Sequence, residues 1–201
     1  QWKGQALGTI GDMGVLSFHA TKNVTCGEGG AFLTNDDALA HRALLMREKG
    51  TNREAFLRHE ASQYTWVEQG GSFVLSDLLA AVLLGQLRRM DVMQQARQRL
   101  GRRYLEALGP LAAEGRVQLP QVTAHSTVNW HLFWFLAVSA AERTRLLQGL
   151  QEAGIDARFH FVPLHSSPYA QQHLGCRPED LPLTEALAAR LIRLPLYPDL
   201  T

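Results

Sequence analysis

Residues 11–23 read Gly-Asp-Met-Gly-Val-Leu-Ser-Phe-His-Ala-Thr-Lys-Asn, and Gly-Glu-Gly-Gly follows at residues 27–30. The run at residues 13–18 is apolar and β-prone, and so is the run at residues 31–34. The glycines between them permit sharp turns. This pattern predicts two short buried strands joined by a Gly-rich loop, and Lys22 lies in that loop.

Lys22 is one of three lysines in a chain whose other basic residues are arginines. Lys3 lies in a polar terminus, and Lys49 lies at a predicted helix end, where a cation complements the helix dipole. Lys22 instead follows an apolar run and a hydroxyl, Ser17, that suits a phosphate oxygen. Partial desolvation would favour the neutral amine that Schiff-base chemistry requires. Spacing alone leaves two interpretations open, a catalytic amine or a solvated lysine in a simple hairpin.

Composition excludes several classes of protein. The 201 residues carry 20 basic and 19 acidic side chains, so bulk charge favours neither nucleic acid nor anionic lipid. The longest apolar run, residues 132–138, is far short of the roughly 20 residues that cross a bilayer. Cys26 and Cys176 form no C-x-x-C motif, which predicts two buried reduced thiols. We therefore expect a globular cytoplasmic protein without a membrane span.

Glycine and histidine motifs for other ligands are incomplete. The run at residues 27–30 has neither the spacing of a dinucleotide fingerprint nor the Gly-Lys-Ser/Thr of a P-loop. His160 and His165 are five residues apart with a proline between them and no nearby acidic third ligand, so no metal site is predicted. Each imidazole is open to two interpretations, a contact with a polar substrate or a structural hydrogen bond.

Asn35 predicts the start of a helix of about three turns. Residues 50–71 lack clean periodicity and predict a long surface loop, a kind of segment that is often functional. Tyr64 and Trp66 lie in this loop, where their rings either pack or form a platform for a ligand.

Capping signals organise the rest of the chain. Ser76 predicts a second helix that continues to Gly109-Pro110, about 50 Å if unbroken. Residues 132–138 predict a strand, Ser139 opens a capping box for another helix, and residues 155–161 predict a returning strand. This order of elements predicts an α/β fold.

Three segments resemble one family, and the last of them, residues 47–53, reads Arg-Glu-Lys-Gly-Thr-Asn-Arg. Together with residues 11–23 and 27–30, it resembles the DegT/DnrJ/EryC1/StrS aminotransferases. Other segments extend the likeness along the whole chain, namely Tyr64-Thr65-Trp66, Ser76-Asp77-Leu78, residues 160–165 and residues 194–197.

The resemblance implies a fold-type I pyridoxal-phosphate transferase. Residues 1–88 would be the C-terminal portion of its large mixed-sheet domain. Residues 89–201 would be a long linking helix and the small C-terminal α+β domain. The chain begins at Gln1 without a methionine, so we expect a piece of a longer protein that is truncated at both ends.

The resemblance also implies roles for individual residues. Lys22 matches the lysine that carries pyridoxal phosphate as a Schiff base, and Ser17 matches a phosphate-contacting serine. Ser72 lies where a neighbouring subunit contributes a phosphate contact, although the usual residue there is asparagine. Four side chains are expected to bind substrate: His160, His165, Tyr64 and Trp66. A homodimer with shared active sites follows from the same resemblance.

The implied reaction moves the amino group of L-glutamate to the 4-keto group of dTDP-4-dehydro-6-deoxy-D-glucose, for cell-envelope polysaccharide synthesis. In the family, the acid that pairs with the pyridine nitrogen lies before the position that matches Gln1, so the 201-residue chain alone is expected to be inactive. Three alternatives remain: a transaminase of another nucleotide-linked keto sugar, a sugar 3-dehydratase, and a noncatalytic fragment or binding module. Lys22 argues against the dehydratases, which carry histidine at that position.

Overall fold

In the computed structural model, which describes residues 1–200, the two β-prone runs form an antiparallel hairpin. β1 (Met13–Ser17) pairs with β2 (Gly30–Thr34) in a sheet of two strands. The strands are confirmed, but the prediction that they are buried is wrong, since Val15 is 78% exposed. A two-stranded sheet leaves its side chains exposed wherever no second layer covers it.

The first helix follows the hairpin and has the predicted length. α1 (Asp37–Arg47) has 11 residues, or about three turns. Its N-cap is Asp36 rather than the predicted Asn35, because the Asp36 carboxylate accepts from the amides of Ala38 and Leu39 at 2.8 and 3.0 Å. This pair of hydrogen bonds satisfies two of the open amides of the first turn.

The region that follows is less regular than α1 but is not a continuous loop. α2 (Arg53–Leu57) lies within the stretch that the sequence predicts as a loop. Ser76 caps α3 (Asp77–Arg88) as predicted, with its hydroxyl accepting from the Leu79 amide at 3.4 Å.

The prediction of one unbroken helix after Ser76 is wrong. α3 ends at Arg88, and the amide of its C-cap, Arg89, donates to the Gln86 carbonyl at 3.1 Å and so closes the last turn. α4 (Met90–Ala113) begins at the next residue and runs past Pro110. Proline keeps a helical φ, so within the last turn of the helix it removes one hydrogen bond without ending the helix.

A second sheet holds the most buried side chains. β3 (Val117–Gln118), β4 (Phe133–Ala137) and β5 (Leu191–Leu194) pair antiparallel in that order. Phe135 and Ile192 are buried at the centre of this sheet. The remaining α-helices of the described residues are α5 (Ala140–Glu152), α6 (Pro168–His173) and α7 (Pro182–Ala188), and two short 3-10 helices lie at Leu164–Ser166 and Pro178–Asp180.

The cap of α5 is confirmed, but the strand predicted after it is not. Ser139 accepts from the Glu142 amide at 3.1 Å. In the segment 155–161, only Arg158 pairs with β5, through two hydrogen bonds with Arg193. The Ala157 amide donates instead to the Ile155 carbonyl at 2.7 Å, so the backbone turns before a strand can form.

The chain divides into two compact units. One contains Gln1–Asp91 and Ala124–Thr127, and the other contains Val92–Thr123 and the described residues from Val128 onward. The predicted domain boundary at residue 88 stays a prediction. Among residues 1–200, no helix has both the length and the apolar character needed to span a bilayer. Both cysteines are free thiols; Cys26 is buried as predicted, but Cys176 is partly exposed.

Candidate active site

The loop after β1 extends the hairpin and closes on itself. The Phe18 amide donates to the Gly29 carbonyl at 2.8 Å, and the Ala20 amide donates to the Gly27 carbonyl at 2.7 Å. Gly27 has a φ of +92°, which is strained for residues with a side chain. Residues 20–27 therefore form a defined tip that begins and ends at one backbone hydrogen bond.

Lys22 lies within this tip. Its amide donates to the His19 carbonyl at 2.9 Å, and its side chain is exposed. Among residues 1–200, no side chain forms a hydrogen bond or ion pair with its ammonium group. The predicted partial desolvation of Lys22 is therefore wrong for the described chain, because no other segment in it covers the tip. An amine that is free on a fixed loop is accessible to an electrophilic carbon.

Ser17 ends β1 and lies at the base of the same loop. Its hydroxyl oxygen accepts from the His19 amide at 3.4 Å, which leaves its hydrogen free to donate to an anion. The structure thus brings Ser17 and Lys22 together at one loop, as the sequence predicts.

A side-chain network in the same loop is not predicted by the sequence. His19 Nδ1 lies 3.0 Å from Thr21 Oγ1, and the Thr21 amide donates to the same nitrogen at 3.3 Å. His19 Nε2 lies 3.6 Å from Glu28 Oε1 across the loop. His19 and Glu28 belong to the segments that carry the family resemblance, but only the folded loop shows that they meet.

Ser72 is exposed on a segment that pairs with the end of α1. It forms an isolated antiparallel bridge with Glu48. On either side, the Lys49 amide donates to the Gly71 carbonyl at 3.0 Å, and the Gly71 amide donates to the Met46 carbonyl at 2.9 Å. These bonds fix the backbone position from which Ser72 projects.

Gly50 and the side chain of Glu48 are closely packed next to this pairing. A Cβ on Gly50, which has a φ of +74°, would lie 1.8 Å from the Glu68 carbonyl oxygen. Glu48 is 6% exposed, and its carboxylate lies 3.3 Å from Arg47 and 4.0 Å from Arg53. The resemblance segment at residues 47–53 thus has a structural role in holding the Ser72 segment.

Tyr64 and Trp66 lie side by side on the surface of the same unit. Their exposed fractions are 47% and 72%, and their ring centroids are 6.3 Å apart at an interplanar angle of 42°. Asn52 holds the residue between them, since its side-chain oxygen accepts from the Thr65 amide at 2.8 Å. The Tyr64 ring also lies 6.3 Å from the Phe56 ring, so both interpretations stay open, and substrate binding by Tyr64 and Trp66 stays a prediction.

His160 and His165 lie in the other unit. His165 Nε2 is 3.2 Å from Glu185 Oε1, at ion-pair distance, and the His165 side chain is 10% exposed. His160 Nδ1 is buried without a partner, and burial together with the Arg193 guanidinium lowers the pKa of His160. The Glu185 contact gives His165 a structural partner that the sequence did not indicate, and substrate binding by either imidazole stays a prediction.

Comparison with known proteins places this geometry in a family. The sequence profile of the DegT/DnrJ/EryC1/StrS aminotransferase family matches residues 1–201. The chain belongs to this family. It is 33% identical to the spore coat polysaccharide biosynthesis protein SpsC of Bacillus subtilis, over all of this chain and 52% of SpsC.

Solved structures of family members match the whole chain. The Streptomyces venezuelae protein DesV, solved with a ketimine intermediate, is 30% identical with a TM-score of 0.84. A proposed sugar aminotransferase of Streptococcus pneumoniae, solved in its PLP form, is 27% identical with a TM-score of 0.84. The chain covers 50% of each, so it spans about half the length of the relatives it matches. The predicted fold class is confirmed, as is pyridoxal phosphate as the cofactor of this family.

The side chains of the Lys22 loop fit two groups of that cofactor. The free Lys22 amine suits its aldehyde carbon, and the Ser17 hydroxyl suits its phosphate. Among residues 1–200, no cluster of three or more His, Cys, Asp or Glu side chains is arranged to hold a metal ion.

Proposed function

We propose that this chain provides the catalytic lysine of a sugar-nucleotide aminotransferase dependent on pyridoxal phosphate. L-glutamate donates the amino group, and dTDP-4-dehydro-6-deoxy-D-glucose accepts it to give dTDP-4-amino-4,6-dideoxy-D-galactose for cell-envelope polysaccharide. The full enzyme would thus be a dTDP-4-amino-4,6-dideoxygalactose transaminase, acting as a cytoplasmic homodimer with shared active sites. The polysaccharide role of the related SpsC supports this choice of pathway class.

The observation that carries the proposal is the free amine of Lys22 on a hydrogen-bonded loop beside Ser17. When bound, pyridoxal phosphate supplies an electron sink that lets a proton leave an adjacent carbon. Lys22 holds the cofactor in the resting enzyme, and Ser17 donates to its phosphate. The amine of glutamate would displace the Lys22 amine from the cofactor, and the released Lys22 amine would then accept the proton from the α-carbon of glutamate. In the second half-reaction, the same amine delivers a proton to C4 of the sugar.

The remaining predicted residues have supporting roles in this proposal. Ser72, held by the backbone of Glu48 and Gly71, donates to a phosphate oxygen in the neighbouring subunit's site. Tyr64 and Trp66 offer exposed ring faces to the nucleotide or the sugar. His160 Nδ1 and His165 Nε2 both lack a hydrogen-bond partner among residues 1–200, and in this proposal each imidazole binds a sugar hydroxyl.

Replacement of Lys22 tests the catalytic assignment. In the full-length protein, Lys22→Arg keeps the positive charge but removes the nucleophilic amine. We expect it to lose the visible absorbance of lysine-bound cofactor and to form no detectable amino sugar. The matched control Lys3→Arg should keep both. Turnover by Lys22→Arg at the wild-type rate would overturn the assignment.

A second assay tests the substrate. The full-length enzyme is incubated with L-glutamate and each of several dTDP- and UDP-linked keto sugars, and mass spectrometry detects the amino product. We expect the highest kcat/KM with dTDP-4-dehydro-6-deoxy-D-glucose. A higher value with a UDP sugar or with a 3-keto sugar would replace this substrate while leaving the role of Lys22 intact.

A further inference from the structure

We propose that Thr25 is a positioning residue that holds Lys22 in its reactive place by closing the loop on both sides. This inference rests on the proposed function, because it assigns Thr25 a role in the reaction of Lys22. Thr25 is partly buried and does not need to touch substrate or cofactor.

The Thr25 hydroxyl joins the two arms of the loop. Its hydrogen is donated to the Phe18 carbonyl at 3.1 Å, and its oxygen accepts from the Gly27 amide at 3.0 Å. The Phe18 carbonyl also accepts from the Cys26 amide at 3.0 Å. One side chain therefore bonds the arm before Lys22 and the arm after it.

Lys22 depends on this closure because it lies between the bonded positions. The Ala20 amide and the Gly27 carbonyl form the last backbone rung before the tip. Gly27 brings high conformational freedom to that rung, since its backbone explores more states than that of any other residue. The Thr25 hydroxyl accepts from the Gly27 amide and so restrains Gly27 directly. Loss of this hydroxyl should therefore increase the motion of both the Ala20–Gly27 hydrogen bond and Lys22.

The interior next to Thr25 leaves little room for the loop to readjust. Cys26 is 4% exposed, with its sulfur 3.4 Å from the Glu28 carbonyl oxygen. A Cβ on Gly29 would lie 2.7 Å from that sulfur and 3.3 Å from Leu75. Because these neighbours are close-packed, removing the threonine hydroxyl leaves the Gly27 amide little room to find another acceptor, while the Phe18 carbonyl keeps only the bond from the Cys26 amide.

The test compares Thr25→Val, which keeps the shape but lacks the hydroxyl, with Thr25→Ser, which keeps the hydroxyl. In the full-length protein, Thr25→Val should speed hydrogen exchange at the Ala20 and Gly27 amides by about tenfold, as expected for losing one or two hydrogen bonds. It should lower kcat by about tenfold with KM for the sugar nucleotide unchanged, because orientation of Lys22 acts on proton transfer. Thr25→Ser should restore both.

A matched control is Thr144→Val in α5, where the lost hydroxyl bonds only the Ala140 carbonyl within the same helix. It should leave loop exchange and kcat unchanged. Wild-type exchange at Ala20 and Gly27 in Thr25→Val would overturn the proposal, and so would faster exchange with an unchanged kcat. If Thr25→Val does not accumulate as folded protein, Thr25→Ala removes the same hydroxyl and carries the same expectations.

The two proposals fail in different ways. Turnover by Lys22→Arg would overturn the proposed function, and with it the catalytic meaning of the Thr25 contacts. Loss of turnover in Lys22→Arg, combined with wild-type kinetics in Thr25→Val, would overturn the positioning role alone.

Discussion

At the scale of single residues, Gly101 illustrates a constraint that only the packing of α4 reveals. Gly101 is buried in α4, and a Cβ on it would lie 2.5 Å from the ring of Trp130. We expect Gly101→Ala to lower the free energy of unfolding by about 1–3 kcal/mol, because the close-packed indole must move. Thermal unfolding of the full-length protein measures the change.

Gly149 provides the matched control for this substitution. It lies in α5, and no heavy atom lies within 4 Å of the position that an added Cβ would occupy. Gly149→Ala should therefore stabilise the protein by up to about 1 kcal/mol through helix propensity. A free energy of unfolding for Gly101→Ala as high as that for Gly149→Ala would contradict the packing argument.

His160 makes stability depend on pH. Burial, together with the Arg193 guanidinium, lowers its pKa below the ordinary value of 6.5. Between that value and the lowered pKa, the unfolded chain binds a proton that the folded chain does not. The stability that comes from keeping His160 neutral in the folded protein is therefore fully present above about pH 6.5. It is lost as the pH falls from 6.5 through the lowered pKa of the folded state. Thermal midpoints at about pH 8 and about pH 5.5 should differ less in His160→Gln than in wild type.

The comparison needs a histidine substitution elsewhere in the chain. His41→Gln changes an exposed imidazole on α1 and should leave the wild-type pH dependence in place. If His160→Gln retained the full difference in thermal midpoint between the two pH values, His160 would not be the cause of the pH dependence.

At the scale of elements, the structure and the sequence give different N-cap residues for α1. The Asp36 carboxylate accepts two amide hydrogen bonds, whereas the sequence favours Asn35 as the cap. Asp36→Ala should lower the free energy of unfolding by about 1 kcal/mol. Asn35→Ala should change it by much less. Thermal unfolding measures both variants. A larger loss of stability in Asn35→Ala than in Asp36→Ala would show that Asn35 is the N-cap, as the sequence predicts.

Elements whose determinants are local could be predicted from the sequence. Ser76 and Ser139 cap their helices as predicted, because a cap is a hydrogen bond between residues three apart. The break at Arg89 was not predictable from periodicity, since the apolar spacing continues across it. The strand expected after α5 fails for a similar reason: only Arg158 meets β5. Strand pairing depends on the partner strand as well as on the segment itself.

In the candidate site, too, some residues could be predicted from the sequence and some contacts could not. Lys22 and Ser17 could be predicted together, because five residues separate them on one strand and its loop. The contacts of Thr25 with Phe18 and of His19 with Glu28 required the folded loop, since they join residues on opposite arms. No spacing rule indicates such contacts, whereas a nucleophile beside a hydroxyl and glycines is a sequence pattern.

At the scale of the whole molecule, one face of the chain is open and apolar. β1, β2 and α1 line a groove of about 1410 Å³, and its walls include Val15, Leu16 and Phe32. These three side chains are 78%, 41% and 43% exposed.

The open groove predicts how the 201-residue chain behaves when it is produced by itself. It should bind the dye ANS strongly, with high fluorescence, because ANS reports exposed apolar surface. Val15→Lys places a charge in the middle of β1 and should reduce this fluorescence at equal protein concentration. Val122→Lys changes a valine of the other unit that is 44% exposed and should leave the fluorescence unchanged. An equal loss of ANS fluorescence in both variants would mean that the dye binds throughout the surface. A loss of fluorescence in Val15→Lys alone assigns the dye to the groove beside the Lys22 hairpin.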